Sequence, residues 1–173
     1  MSEIADQLVE RGFHVAESAF AHEHSVEVQL PFLQYLFGAD FPFVPICVKL
    51  PALDELMNAG EIIAQVLGES RGVLIASSDF THYQPQSVAS QIDRKAIDRI
   101  LSLDGEGFYN SLVTERLSIC GGGAITILIQ AAHILGLGRT RLLSYGTSGD
   151  VTGDKSSVVG YAAIALGRED NDQ

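Results

Sequence analysis

The run Gly72-Val73-Leu74-Ile75-Ala76 constrains the fold of this chain more than any other segment. Successive apolar positions of strand length, without the alternation of a half-buried strand, call for burial on both faces, and the run predicts a central parallel strand. Helical periodicity surrounds it. Ile4, Ala5, Leu8 and Val9 predict a short helix between Ser2, a candidate N-cap, and Gly12, just past its end. Val26, Leu30, Leu33 and Phe37 keep helical period up to Gly38, with Pro31 forcing a kink or a late start. Leu53, Leu56, Met57, Ile63 and Leu67 mark an amphipathic helix. Val88, Ile92, Ala96 and Ile100 step by four through charged neighbours, and Phe108 to Leu112 form a shorter helix. From Ala124 to Leu137 only Thr126, Gln130 and His133 interrupt the apolar residues, on one narrow stripe, so that helix is mostly buried.

Three further segments complete the pattern. Phe43 to Val48 is rich in β-branched and aromatic residues, but Pro45 cannot donate to a ladder, which makes it an edge or irregular strand. Arg141 to Tyr145 and Val158 to Leu166 read as two closing strands around a turn-rich loop, Gly146 to Asp154. Interleaved helices and strands place the chain in the α/β class, with three layers and a mixed, mostly parallel sheet carrying helices on both faces. At 173 residues it has the length of one domain, taken here as 1–167, followed by a disordered acidic tail, 168–173.

Composition narrows the partners. A chain that is 46% hydrophobic and 19% charged is globular, and its net charge of −11 disfavours nucleic acid and anionic membranes. The amino terminus lacks the basic and apolar regions of a signal peptide, and no apolar run reaches the ~20 residues of a membrane span. The two cysteines, Cys47 and Cys120, have no Cys-x-x-Cys spacing and indicate neither a disulfide framework nor a zinc knuckle. A reducing cytoplasm fits this usage.

The central run leads into Ser77-Ser78-Asp79-Phe80-Thr81-His82, which puts a carboxylate and an imidazole just past the end of a strand, where ligands bind in open α/β sheets. Asp79, three residues before His82, can orient or charge-stabilise a ring that works as a general acid or base; equally, Asp79 can cap a turn and His82 bond nearby backbone. Cys120 precedes Gly121-Gly122-Gly123 and the buried helix, so its sulfur lies near a helix N-terminus, where the dipole favours thiolate. The three glycines allow close backbone approach and offer amides to an anion. Against this stands an inert buried thiol, the reading given to Cys47. His22-Glu23-His24 places two imidazoles on one side of an extended segment, a weak metal signal that needs further ligands; His14 and His133 are read as structural.

Four ordered motifs taken together resemble the Memo family, in its bacterial and archaeal branch named AmmeMemoRadiSam system protein B. They are Glu23-His24-Ser25-Val26-Glu27-Val28-Gln29-Leu30-Pro31, Ser77-Ser78-Asp79-Phe80-Thr81-His82, Ile119-Cys120-Gly121, and Tyr145-Gly146-Thr147-Ser148-Gly149-Asp150 with Gly160-Tyr161-Ala162-Ala163. The resemblance implies a fold like that of class III extradiol dioxygenases, with iron(II) or copper as metal, Cys120 as metal ligand and His82 as the pocket acid/base. Asp79, Glu23 and His24 match other motif positions near the cleft. It also implies radical-SAM and AMMECR-type proteins as partners. The family's Pro-His-Ala-Gly and Gly-Pro-Ser-His-His motifs, which carry two histidine ligands, do not occur here. The chain is therefore expected to be an incomplete Memo-type domain with an impaired metal site. Its uncovered edge should pair in a homo-oligomer or with a separate N-terminal polypeptide.

Three functions follow as expectations: a metal-dependent redox or dioxygenase-type protein, a non-enzymatic binding protein acting with a radical-SAM partner, and a cysteine hydrolase built on Cys120, His82 and Asp79.

Overall fold

The computed structural model describes residues 3–68 and 72–168. Its helices are α1 (Glu3–Glu10), α2 (Leu30–Phe37), α3 (Leu53–Gly68), α4 (Gln86–Leu101), α5 (Gly105–Thr114), α6 (Gly122–Ile134) and α7 (Ser148–Thr152); its strands are β1 (His82–Gln84), β2 (Arg139–Thr147) and β3 (Val158–Gly167). Each helix expected from periodicity is present. Pro31 produces the late start and not the kink: a 3-10 turn, Glu27–Gln29, precedes α2, and the proline falls in the first helical turn, where its missing N–H costs nothing. Ser2 and the residues 169–173 of the expected tail lie outside the described residues. The Gly146–Asp154 loop contains α7, closed by a capping box between Thr147 and Asp150.

The α/β class holds, whereas the direction of the sheet does not. The order is β1-β3-β2 and both pairings are antiparallel. β2 and β3 are joined by a short connection through α7, too short to return the chain for parallel pairing, so they form a hairpin. A bulge between Leu142 and Ser144 lets Leu142 and Tyr145 pack with Ala162 and Ile164 against the same core cluster. The expected central strand is the larger correction. Among the described residues, 72–76 enter no strand; Leu74 and Ala76 pack inward, while Val73 is 84% and Ile75 49% exposed. The apolar run thus has a covered and an uncovered face. Val44, Ile46 and Val48 likewise pack inward from an extended segment that joins no strand, which turns Cys47 outward; its thiol is exposed and not the buried one expected.

α6 is the hub of the interior. Ile125 and Ile129 join Ile97 and Ile100 of α4 and Phe108 and Leu112 of α5 in one cluster, backed by the sheet. Ile127 and Ala131, on the opposite side of the same helix, join Leu8 of α1 and Leu56, Ile63 and Val66 of α3 in another. A helix buried from two sides must be apolar nearly all round, as its sequence is. Thr126 is tolerated there because its hydroxyl donates to the carbonyl of Gly122 at 2.9 Å. No helix among the described residues is long and apolar enough to cross a membrane.

Candidate functional site

The extended segment that leaves the 72–76 run meets the turn before α6, and the site lies at that junction. Gly121 makes the contact possible, since a Cβ there would fall 2.5 Å from the carbonyl oxygen of Ser77 and from Cβ of Ser78. Its N–H donates to Ser78 Oγ at 2.8 Å, and that hydroxyl donates to the Asp79 carbonyl at 2.7 Å. Gly121 thus serves close packing against 77–79, and its amide is already engaged, whereas Gly122 and Gly123 make room for Leu112 and for the Lys49 carbonyl. Cys120 Sγ accepts the Asp79 N–H at 3.2 Å and lies 3.7 Å from Ser78 Oγ. The thiol is exposed to solvent.

His82 is held from the other side of the same turn. Its backbone N–H donates to Ser118 Oγ at 2.9 Å, and ring Nδ1 lies 2.6 Å from the Ser118 carbonyl oxygen. A carbonyl only accepts, so Nδ1 carries the proton and Nε2 is the basic nitrogen. Nε2 faces Asp79 Oδ2 at 3.7 Å, with the imidazole 21% and the carboxylate 46% exposed. Tyr83, directly after, adopts φ 58, and the register slips between His82 and Gln84; this bulge sets the direction of the His82 side chain.

A buried carboxylate fixes the strand from behind. Asp93 of α4, fully buried, accepts the Thr81 N–H at 2.9 Å on one oxygen and the Tyr145 hydroxyl at 2.8 Å on the other. Gly160 of β3 leaves room for it, because a Cβ would come within 1.9 Å of Asp93 Oδ2. Burial, reinforced by Asp93, pushes the Tyr145 phenol up to about 12, so it stays a hydrogen-bond donor. Gly160 also exchanges backbone bonds with Phe80 and Thr81, each 2.9 Å, which makes Tyr161 and Asp79 cross-strand neighbours. Burial and then the Asp79 charge raise the Tyr161 phenol.

Of the residues singled out from sequence, the structure brings Asp79, His82 and Cys120 together. Glu23 and His24 make local contacts instead. Glu23 Oε1 accepts the Ser25 N–H at 2.6 Å, which holds its carboxyl below the ordinary value, and His24 Nδ1 pairs with Glu27 at 2.7 Å in the open. Their loop is tied to the site by Gln29 Nε2, which donates to Ser77 Oγ at 2.9 Å. Sequence reasoning gave no role to Ser78, Ser118, Asp93 or Tyr161. Ser78 and Tyr161 carried a signal, each lying within one of the quoted motifs; Ser118 and Asp93 carried none.

The arrangement bears on the three expected chemistries. A cysteine hydrolase needs the thiol hydrogen-bonded to the imidazole and the carboxylate on the far nitrogen. Here Sγ is bonded by a backbone amide, and it is the free Nε2 that faces the carboxylate.

The profile of the Memo-like protein family matches residues 2–165. A MEMO1 family protein of Methanosarcina acetivorans is 47% identical over 166 residues, covering 95% of this chain and 62% of the relative. One from Methanopyrus kandleri is 47% identical over 153 residues, 87% of this chain and 54% of the relative. A third, from Methanococcoides burtonii, is 48% identical over 152 residues, 87% of this chain and 57% of the relative. The chain spans less than two thirds of the length of the relatives it matches.

Proposed function

The chain belongs to the Memo-like family, and from that premise we propose that it carries one side of a metal-dependent redox or dioxygenase-type site, with Cys120 as metal-binding thiolate and His82 and Asp79 handling protons. The observation that supports this reading is the double role of Asp79. Its backbone amide holds Cys120 Sγ at 3.2 Å while its carboxylate faces His82 Nε2 at 3.7 Å, so one residue links thiol and imidazole.

The proton chemistry follows from the tautomer. With Nδ1–H engaged by the Ser118 carbonyl, Nε2 is the position that takes a proton from a bound substrate, and Asp79 stabilises the resulting imidazolium. Tyr161 adds a phenol donor beside the same carboxylate. The Asp79 amide donates to Sγ and so fixes the position of the sulfur, a ligand type that suits iron(II) or copper.

The described residues do not by themselves complete a site for such an ion. Among the described residues no three His, Cys, Asp or Glu are grouped to hold one, and catalytic centres of this kind keep about three protein ligands. Further ligands would come from outside the chain. We place Glu23 and His24, tethered through Gln29 to Ser77, at the rim of the cleft, and association with a second polypeptide belongs to the same proposal.

Anaerobic titration of iron(II) or copper(I) into the protein tests this. A thiolate-to-metal absorption band in the wild type, absent from Cys120→Ala, is expected; equal metal uptake by both proteins contradicts the reading.

A further inference from the structure

Asp79 and His82 are three residues apart, and in an unbroken strand that spacing sends two side chains to opposite faces of the sheet. Here they meet, with Asp79 Oδ2 at 3.7 Å from His82 Nε2. The backbone between them shows how. Gly160 of β3 accepts the Phe80 N–H and donates its own N–H to the Thr81 carbonyl, each at 2.9 Å, so two residues of one strand stand opposite a single residue of its neighbour. That is a β-bulge, separate from the register slip at Tyr83, and it absorbs one of the three steps between Asp79 and His82. An odd spacing thereby acts as an even one. His82 pairs with Val159, and Asp79 comes to stand across from Tyr161, two positions further along β3 and on the same face. Phe80 and Thr81 are both buried.

Such a bulge needs support from outside the ladder. It takes the Thr81 N–H away from β3, and a buried amide without an acceptor is costly. The Thr81 hydroxyl adds to that cost, since it is buried with no hydrogen-bond partner. Asp93 of α4 supplies what the amide lacks: Oδ1 accepts the Thr81 N–H at 2.9 Å, while the Tyr145 hydroxyl holds Oδ2 at 2.8 Å. Ser90, one turn earlier on α4, lies beside the same hydroxyl and steadies it. Gly160 is what admits the carboxylate, because a Cβ at that position would overlap Asp93 Oδ2.

We propose that Asp93 is the positioning residue of the candidate site: by holding the bulge at Phe80 and Thr81 it brings the Asp79 carboxylate and the His82 imidazole onto one face of the sheet. Asp93 acts through the Thr81 backbone, not through a bond to either side chain. The use of the pair for proton transfer rests on the function proposed above, whereas the positioning does not.

Nuclear magnetic resonance of the isotope-labelled 173-residue chain tests the proposal. In the wild type, a coupling across the hydrogen bond from the Thr81 nitrogen to the Asp93 carboxyl carbon is expected, with cross-relaxation between the His82 ring protons and the Asp79 β-protons. Asp93→Ala should weaken that cross-relaxation about fivefold or more, since a lost bulge turns one side chain to the other face. Gly160→Ala should do the same, its methyl group displacing the carboxylate without removing it. Asp93→Asn should retain the contact, because the amide oxygen still accepts the Thr81 N–H. Leu56→Ala, a packing loss in the separate cluster around α3, should also retain it. Absence of the coupling in the wild type overturns the proposal however the variants fold. So does full cross-relaxation in a folded Asp93→Ala or Gly160→Ala protein, or an equal loss in Asp93→Asn or Leu56→Ala. Metal titration reads Cys120 independently: a missing thiolate-to-metal band with the contact intact removes the metal reading and leaves the positioning.

Discussion

α6 and α2 are both short apolar helices, and the molecule treats them in opposite ways. α6 is enclosed from two sides by α1, α3, α4, α5 and the sheet, whereas no residue of α2 is buried. Apolar sequence therefore has two meanings in this protein. Around α6 it marks an interior already closed; along α2 and 72–78 it marks a face that nothing among the described residues covers. The candidate site lies at the boundary, with Cys120 on the closed side, at the turn into α6, and Asp79 just past the open segment 72–78.

The difference is sharpest in stability. Phe108→Ala empties a fully enclosed position among α4, α5 and α6 and should cost about 3–5 kcal/mol in urea denaturation, while Phe32→Ala on α2 should stay within about 0.5 kcal/mol. A comparable loss at both positions would mean that the α2 face is covered in solution. Asp93→Ala leaves the buried Thr81 N–H and the Tyr145 hydroxyl without an acceptor, and a loss of about 2–3 kcal/mol is expected. Asp93→Ala should also change the rate at which Cys120 is alkylated, because Asp79, two residues before Thr81, is the donor to the sulfur. An unchanged rate would separate the buried carboxylate from the site.

Asp104 gives a smaller effect. Its side chain caps α5 through the Gly107 N–H at 2.8 Å and pairs with Arg99, and these contacts, the amide first, hold its carboxyl below the ordinary value. Asp104→Ala should cost about 1 kcal/mol at neutral pH. Because the folded pKa is the depressed one, this contribution is present above the unfolded value of about 4 and is lost as pH falls through the folded pKa. Urea denaturation of both proteins from neutral to acidic pH should show the two curves converging; a penalty that persists in acid would assign it to something other than the ionised cap.

Helices were legible in the sequence because their apolar residues repeat against local hydrogen bonds that each segment supplies for itself. Sheet direction was not. An unbroken run such as 72–76 reports two apolar faces but says nothing about which neighbour covers each, and here one face has none among the described residues. Alternation in 44–48 was hidden for the related reason that the outward positions include Cys47, an apolar residue left exposed. At the site, Asp79, His82 and Cys120 were legible as chemistry-bearing side chains in motif positions. Ser118 was not, since its contact with the His82 ring runs through its carbonyl, which every residue has, and its hydroxyl only accepts a backbone N–H; nor was Asp93, whose helix shows only a charge within an amphipathic pattern.

Native-state hydrogen exchange of the isolated chain tests the contrast between the closed and the open region most directly. The amides of Ile125 to Ala132 in α6 should exchange only through global unfolding, and those of 73–78 through the smallest local opening, with rates several orders of magnitude faster. Protection of 73–78 equal to that of α6 would show that the edge is already paired in the chain by itself, and the account of an uncovered face would be wrong.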